Sequence, residues 1–424
     1  MNSDWELKRI DEVATAVSGG TPSRDIDEFW DGEINWATPT DITRGNNRIL
    51  KFTKEKITLK GVQNSSTKIL PIGTLLMTSR ATLVAIKIAG TEVCTNQGFK
   101  SLIPKDSIDK WFLFYQMKNH KTQYERYGIG TTFLEVNKSD TDRFLLPFPK
   151  EKSTQTKIAQ ILTTLDNVIE KTEATIEKYE AIKKGMMHDL FTRGIGSDGQ
   201  VRPRYEEAPE LYKKSALGWI PKEWRIEPIS NVTSYVDYRG KTPPKSDSGI
   251  YLVTAKNVKF GYIDYNCSRE YILPSSYEST MSRGKPLVGD VLITTEAPMG
   301  NVAQVNREGI ALAQRIIKYR AADSELTNDF LKNTFLSDYF QNLLYSQSTG
   351  STVTGIKGSK LHKLEIFIPM KNEQILINKR LNEIESLLNS EKEFLSKQTQ
   401  LKQGLMQDLL TGKVSVNTSS KITV

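Results

Sequence analysis

The side chains best suited to reading a hydrogen-bonding surface come in pairs, at matching places in the two halves of the sequence. Gln97 and Gln314 each carry an acceptor and a two-proton donor in one plane, the arrangement that makes two hydrogen bonds to an adenine edge. In the segments Thr78-Ser79-Arg80-Ala81 and Thr294-Thr295-Glu296-Ala297, arginine in one copy stands where glutamate stands in the other. A guanidinium suits the acceptors of guanine and a carboxylate suits the amino group of cytosine, so this exchange is what a change of specificity looks like. It is also what two solvated surface charges look like. The two glutamines, being the same in both copies, point instead to a structural or phosphate-contacting role, because parts kept between readers of different targets belong to the scaffold.

Further candidates lie in loops rich in Gly, Thr, Pro and cations. Thr21 and Arg24 in Gly20-Thr21-Pro22-Ser23-Arg24 match Lys241 and Lys245 in Lys241-Thr242-Pro243-Pro244-Lys245. Thr38 and Thr40 in Thr38-Pro39-Thr40-Asp41 match Lys256 in Thr254-Ala255-Lys256-Asn257, and Thr132 with Lys138 matches Thr352 with Lys357. Arg44, Lys100 and Arg315 complete the set of candidate nucleic-acid contacts. Hydroxyls here would bond phosphates and cations would add salt-dependent affinity. As turns, the same clusters need no function.

Catalytic signals fail on context. Residues 194–199, Gly-Ile-Gly-Ser-Asp-Gly, match a dinucleotide-binding fingerprint, but they follow a helical pattern and precede a polar stretch, whereas that site needs a strand before and a helix after. Gly240-Lys241-Thr242 lacks the first glycine of a phosphate loop and runs into Pro243 and Pro244, which block a following helix. The sequence contains neither a Gly-x-Ser-x-Gly elbow, nor His-Glu-x-x-His, nor an Asn-Pro-Pro-aromatic methyltransferase motif, nor the acidic core of common nucleases. Cys94 and Cys267 fall in different halves, and His120, His188 and His362 stand apart, so no metal or cofactor is expected in this chain. Net charge of +8 suits a polyanionic partner. With 38% hydrophobic residues, no apolar run long enough for a membrane span and acids near the N-terminus, the chain reads as globular and cytoplasmic.

The elements that must position these residues are themselves duplicated. Trp5, Gln155, Ile158, Leu162, Ile176, Gly185, Met187 and Asp189 are answered 219 residues later by Trp224, Gln374, Ile377, Leu381, Leu395, Gly404, Met406 and Asp408. A unit this long is a folded module, not a solenoid repeat. Residues 1–150 and 223–369 read as two mixed α/β domains of an α+β fold, with strands expected at 74–78, 83–89, 144–148, 288–295, 302–305 and 364–368 and helices at 110–127 and 328–346. Each is followed by a proline-free stretch, 151–193 and 370–413, whose apolar residues recur every three, four or seven positions, including Leu165, Ile182, Ile384, Leu388 and Leu401. That pattern is one long helix with a coiled-coil stripe. The matched registers predict an antiparallel pair; the alternative is that each helix packs on its own domain. Residues 194–222, rich in Gly, Pro and charge, read as a surface linker, and 414–424 as a tail. Met186, Met187, Leu405 and Met406, near the helix ends, are divided between internal packing and partner contact.

This organisation resembles the specificity subunit of a type I restriction-modification system. The resemblance covers almost the whole chain and is carried most specifically by residues 184–192 (KGMMHDLFT), 403–414 (QGLMQDLLTGKV) and 217–224 (LGWIPKEW). The chain departs from a strict repeat in that Trp5 lacks the Gly-Trp-Ile-Pro lead-in of Trp224, and His188 and Phe191 stand where the second copy has Gln407 and Leu410. The resemblance implies that each mixed domain is a target-recognition domain for a short block of double-stranded DNA. It implies that the helices set the gap between the blocks and dock two methyltransferase subunits, which bind S-adenosylmethionine and methylate adenine N6, while restriction subunits cut unmodified DNA. The chain itself would be non-catalytic. The sequence also leaves room for a coiled-coil scaffold without DNA specificity and for a DNA-modifying enzyme with an unrecognised motif.

Overall fold

The computed structural model describes residues 3–80, 82–128, 135–240, 243–322, 324–349 and 354–417. Two helices dominate it, Lys152–Thr192 and Lys371–Leu409, of 41 and 39 residues. Both end on a glycine in the left-handed region, Gly194 at φ 64° and Gly412 at φ 70°. In each the two residues after the last turn donate back to one carbonyl: Arg193 and Gly194 to Asp189, Lys413 and Val414 to Asp408. Glycine closes both helices because a Cβ is disfavoured at that φ and because there is no room for one. A Cβ would lie 2.5 Å from the ring of Trp224 at Gly194, and 2.7 Å from the ring of Trp5 at Gly412.

The chain forms two compact units. Unit 1 joins residues up to Thr175 with those from Glu391 onward, and unit 2 runs from Ile176 to Ser390. Each unit therefore contains the start of one long helix and the end of the other. In unit 1, Ile158 and Leu162 share a core with Leu409 and Leu410, and Asp166 meets Lys402 at 2.5 Å. In unit 2, Ile377 and Leu381 share a core with Leu190 and Phe191, and Glu385 pairs with Lys183. Early residues of one helix meet late residues of the other, so the helices are antiparallel in both units. The packing alternative holds as well, since the start of each helix also lies on its own mixed domain. Ile182 and Leu401, expected in the stripe, are exposed.

In unit 1 a five-stranded sheet has the order Ala14–Ser18, Lys100–Pro104, Leu75–Met77, Ile86–Ala89, Ile49–Leu50. A three-stranded sheet places Trp30–Ala37 between Glu55–Ile57 and Val93–Thr95, and Trp5–Arg9 pairs with Leu145–Pro149. Unit 2 repeats the plan with Thr233–Asp237, Ile316–Ala321, Val291–Thr295 and Met299–Gln304 in one sheet. Ile250–Val253 lies between Tyr271–Ile272 and Ile310–Leu312 in another, and Arg225–Pro228 pairs with Glu365–Ile368. The helices expected at 110–127 and 328–346 are each broken in two. Lys110–Asn119 gives way to Lys121–Glu125 at His120, and Asn328–Leu336 to Asp338–Ser346 at Ser337. Ser337 adopts an extended backbone and its hydroxyl accepts from the Phe340 N–H, so it caps a new helix in place of continuing the old one.

Gln155 and Gln374, 219 residues apart, make the same joint twice. The Gln155 carbonyl accepts from the N–H of Asp109, the residue capping the broken helix, and its amide donates to the Pro149 carbonyl at the end of the last strand. Gln374 does the same with Thr327 and Pro369.

Residues 194–222 are a folded segment and not an open linker. They carry the hairpin Tyr212–Ser215 with Gly218–Pro221, bury Ile195 and Ile220, and send Arg202 to Glu373 at 2.6 Å. The polar composition that suggested a linker instead feeds an ion pair with the second helix. The fold is α+β, with two mixed α/β domains and two long antiparallel helices related by an internal repeat.

Candidate nucleic-acid interface

The loops carrying the paired candidates converge in each unit through the same backbone bonds. In unit 1 the Ser79 N–H donates to the Gly98 carbonyl at 2.7 Å and the Val136 N–H to the Ser79 carbonyl at 3.2 Å. In unit 2 the Thr295 N–H donates to Arg315 and the Ile356 N–H to Thr295, both at 3.0 Å. Arg80, Gln97 and residues 135–138 are thus neighbours across a wide span of sequence, as are Glu296, Gln314, Arg315 and Lys357. The turn after residue 78 is forced into the left-handed region at equivalent places, Val84 at φ 57° and Gly300 at φ 82°. A buried β-branched residue at that φ is strained, and its surroundings hold it there. Arg315, exposed and unbranched at Cβ, also lies in the left-handed region, at φ 74°.

The Arg80 and Glu296 exchange is neutralised within each unit. Arg80 pairs with Glu135 at 2.8 Å and Glu296 with Arg315 at 2.9 Å, all four side chains being at least a third exposed. Glu135 and Gly355, the bridge partners of Arg80 and Glu296, occupy equivalent places, so the second copy draws its counter-charge from another loop. Exposed pairs of this kind are worth about 0–1 kcal/mol and can be exchanged for a ligand. Gln97 is exposed and accepts from the Thr21 hydroxyl; Gln314 is half-buried.

The other candidates separate by whether their charge is already matched. Arg24 forks onto Glu55 and lies 3.8 Å over the Trp30 ring, Lys245 pairs with Glu270, and Lys138 pairs with Asp142 one turn along its helix. Lys100 is a correction: it is buried, its Nζ turned to the Ser79 hydroxyl and to Glu135 at 3.5 Å, so it cannot reach a duplex. Burial pushes its ammonium below the ordinary lysine range, with Glu135 opposing that. Arg44, Lys256 and Lys357 are exposed and form no ion pair among the described residues. Thr38 spends its hydroxyl on Asp41 at 2.7 Å, capping the short helix Pro39–Thr43, in which Thr40 lies. Thr132, Lys241 and Thr352 lie outside the described residues.

Sequence reasoning missed Glu135, Lys87 and Arg239. Lys87 is buried in the sheet with its Nζ donating to the carbonyls of Asp41 and Arg44 at 3.1 and 2.8 Å, which fixes the loop that presents Arg44. Arg239 donates to the Ile356 carbonyl at 3.4 Å, beside Lys357. No spacing rule marks contacts between residues that only the sheet brings together. Met186 and Met187 pack against the core of unit 2, and Leu405 and Met406 against that of unit 1, each half-buried.

No helix of the described residues is long and apolar enough to cross a membrane. Two copies of a loop-presenting mixed domain, sharing a pair of long antiparallel helices, define the class as a duplicated recognition module. The family follows from the sequence itself: a model of the type I restriction modification DNA specificity domain matches residues 2–181 and 221–398, and the chain belongs to that family. It is 32% identical over 256 residues to the specificity subunit of the type I restriction enzyme MjaIX of Methanocaldococcus jannaschii, over 60% of this chain and 56% of that one. To the MjaVIII specificity subunit of the same organism it is 24% identical over 422 residues, covering 97% and 93%. The chain thus spans a little over half of the first relative and nearly all of the second. The crystal structure of a type I S subunit from M. genitalium has the same fold, with a TM-score of 0.62 at 15% identity over 96% of both chains.

Proposed function

We propose that this chain is the non-catalytic, DNA-binding specificity subunit of a type I restriction-modification complex, recognising an asymmetric target of two short blocks separated by a fixed gap. The observation that carries this reading is the duplicated loop constellation: identical backbone bonds at Ser79 and Thr295, with opposite charges on the next residue, Arg80 and Glu296. One scaffold presenting two different surfaces is what a two-block asymmetric target requires. Linking two weak readers raises their joint affinity through effective concentration. A helix of 41 residues is about 60 Å long, comparable with one to two turns of B-DNA, which suits the helices to setting the gap. The partners of this reading are two methyltransferase subunits, which carry S-adenosylmethionine, and restriction subunits, all in the cytoplasm. Arg44, Lys256 and Lys357 supply phosphate contacts, Gln97 and Gln314 serve the scaffold or a phosphate, and Arg80 and Glu296 face the bases.

The test is genome-wide mapping of N6-methyladenine in cells expressing this chain with its methyltransferase subunit, against cells lacking this chain. Methylation should fall on one asymmetric two-block motif and vanish without the chain. Methylation that persists on the same motif in its absence would refute the proposal.

A further inference from the structure

Each unit holds aromatic side chains out into solvent from the segment that follows one shared turn. Phe52 is 81% exposed, and Phe260 and Tyr262 are 56% and 60% exposed. Both loops follow the same turn. The N–H and hydroxyl of Thr38 donate to the Asp41 carboxylate, and those of Thr254 donate to the Asn257 side-chain oxygen. Both loops are then fastened to the same strand of the sheet. In unit 1 the N–H groups of Ile88 and Gly90 donate to Arg48 and Leu50 at 2.8 Å. In unit 2 the Gly261 N–H donates to Val302 at 2.7 Å and the Asn301 amide to Val258 at 2.8 Å. The rings are therefore displayed by ordered backbone.

Scattered exposed apolar residues are ordinary. Here, however, each unit exposes an aromatic ring in the segment after the same turn, at different positions along it. Cations also flank it in both copies: Arg44, Lys51 and Lys54 about Phe52, and Lys256 and Lys259 about Phe260. None of these five forms an ion pair among the described residues. In unit 1 Arg44, Lys51, Phe52 and Lys54 line one open cleft of about 970 Å³. The unit 1 cleft also holds Asp41 and Glu170, yet an apolar ring among cations that form no close ion pair is complementary to a surface that is anionic outside and apolar within, which is a nucleic-acid duplex.

Building on the function proposed above, we propose that Phe52 and the Phe260–Tyr262 tip are wedges that press into a base step of their half-targets while the flanking cations hold the adjoining phosphates. Apolar side chains of this kind partly unstack a step, and the sequence dependence of that deformation adds selectivity without hydrogen bonds to bases.

The experiment uses the full chain with its methyltransferase subunit, and duplexes bearing the whole target or one scrambled half, with 2-aminopurine placed in turn at each step. Phe52→Ala should weaken binding to the whole target by about tenfold. It should leave the slope of affinity against salt unchanged, abolish the 2-aminopurine signal in the first half-target alone, and leave the thermal unfolding curve unmoved. Phe260→Ala with Tyr262→Ala should do the same for the second half. Lys51→Ala with Lys54→Ala should instead lower the salt slope. If the wild-type complex distinguishes both halves but the aromatic variants bind and fluoresce like it, the wedge is wrong and the specificity function stands. If the aromatic variants lower the salt slope, the rings only shape the cationic rim, and the wedge is again wrong. If the wild-type complex distinguishes neither half, both readings fall together.

Discussion

The two units hold the long helices with the same apolar parts and different charges. In unit 1 the Asp166 carboxylate, nearly buried, accepts from the Tyr115 hydroxyl at 2.6 Å and meets Lys402 at 2.5 Å and Arg48 at 3.4 Å, with Arg48 also pairing with Glu170 at 2.7 Å. Burial and the bond to Asp166 push the Tyr115 hydroxyl well above its ordinary range. In unit 2 the equivalent carboxylate, Glu385, forms an exposed pair with Lys183 and no other ion pair among the described residues. On the second long helix a buried carboxylate lies elsewhere, at Glu373, which takes Arg202, the Trp224 indole N–H and the Ile195 N–H. Thr154 occupies the matching place in the first copy. Meanwhile Trp5 and Trp224, Gln155 and Gln374, and Gly194 and Gly412 keep their roles in both. Apolar burial and neutral bonds to backbone depend on shape, which a duplicated fold retains. A buried ion pair works only when every partner is present, so it drifts as a set.

That contrast can be broken at the shared parts first. Phe191 stacks on Phe330 at 5.4 Å inside unit 2, and Leu410 is buried at the matching place in unit 1. Phe191→Ala should cost about 3–5 kcal/mol and Leu410→Ala about 2–5 kcal/mol. Hydrogen exchange should open unit 2 first in the former and unit 1 first in the latter. Simultaneous opening of both units in either variant would show that the helix ends do not belong to separate cores.

Next come the charges that differ. Asp166→Asn leaves Arg48 and Lys402 short of a partner and should cost about 3 kcal/mol. Glu385→Gln at the equivalent exposed pair should cost under about 1 kcal/mol. Chemical denaturation of the two variants measures the gap, and equal losses would remove the distinction between the units.

The smallest effect is a pH dependence. Burial lowers the pKa of His120 in unit 1 and of His362 in unit 2 below the ordinary 6.5. The unfolded chain then takes up a proton at each site as pH falls through about 6.5, while the folded chain does so only at lower pH. Stability is therefore fully present above that pH, declines below it, and levels off once the folded imidazoles titrate. Ring resonances followed by NMR should titrate below 6.5 for both; titration of either above 6.5 would reverse the sign of its contribution.

Much of the scaffold was legible because it depends on period and on local backbone chemistry. The heptad stripes and the glutamines Gln155 and Gln374 stand in the sequence at a fixed offset of 219. The long helices run over Lys152–Thr192 and Lys371–Leu409, within the expected stretches. The break at Ser337 was not legible, because a hydroxyl that caps a helix and one that rides in its middle look alike until the backbone turns, and at His120 no capping side chain marks the break. The site was legible only as a list of loops. That Arg80 is held by Glu135, that Lys100 is buried, and that Lys87 braces the Arg44 loop all depend on strands that pair across 40 residues or more.

What the sequence determined by itself was therefore the duplication, the two long helices and the pairs of loop residues that differ between copies, since these follow from spacing along one chain. The tertiary structure alone decided that each long helix ends in the core holding the start of the other, which cations are already matched, and which aromatic rings stay exposed. Those outcomes depend on contacts between segments far apart in sequence, whose closeness no local pattern encodes.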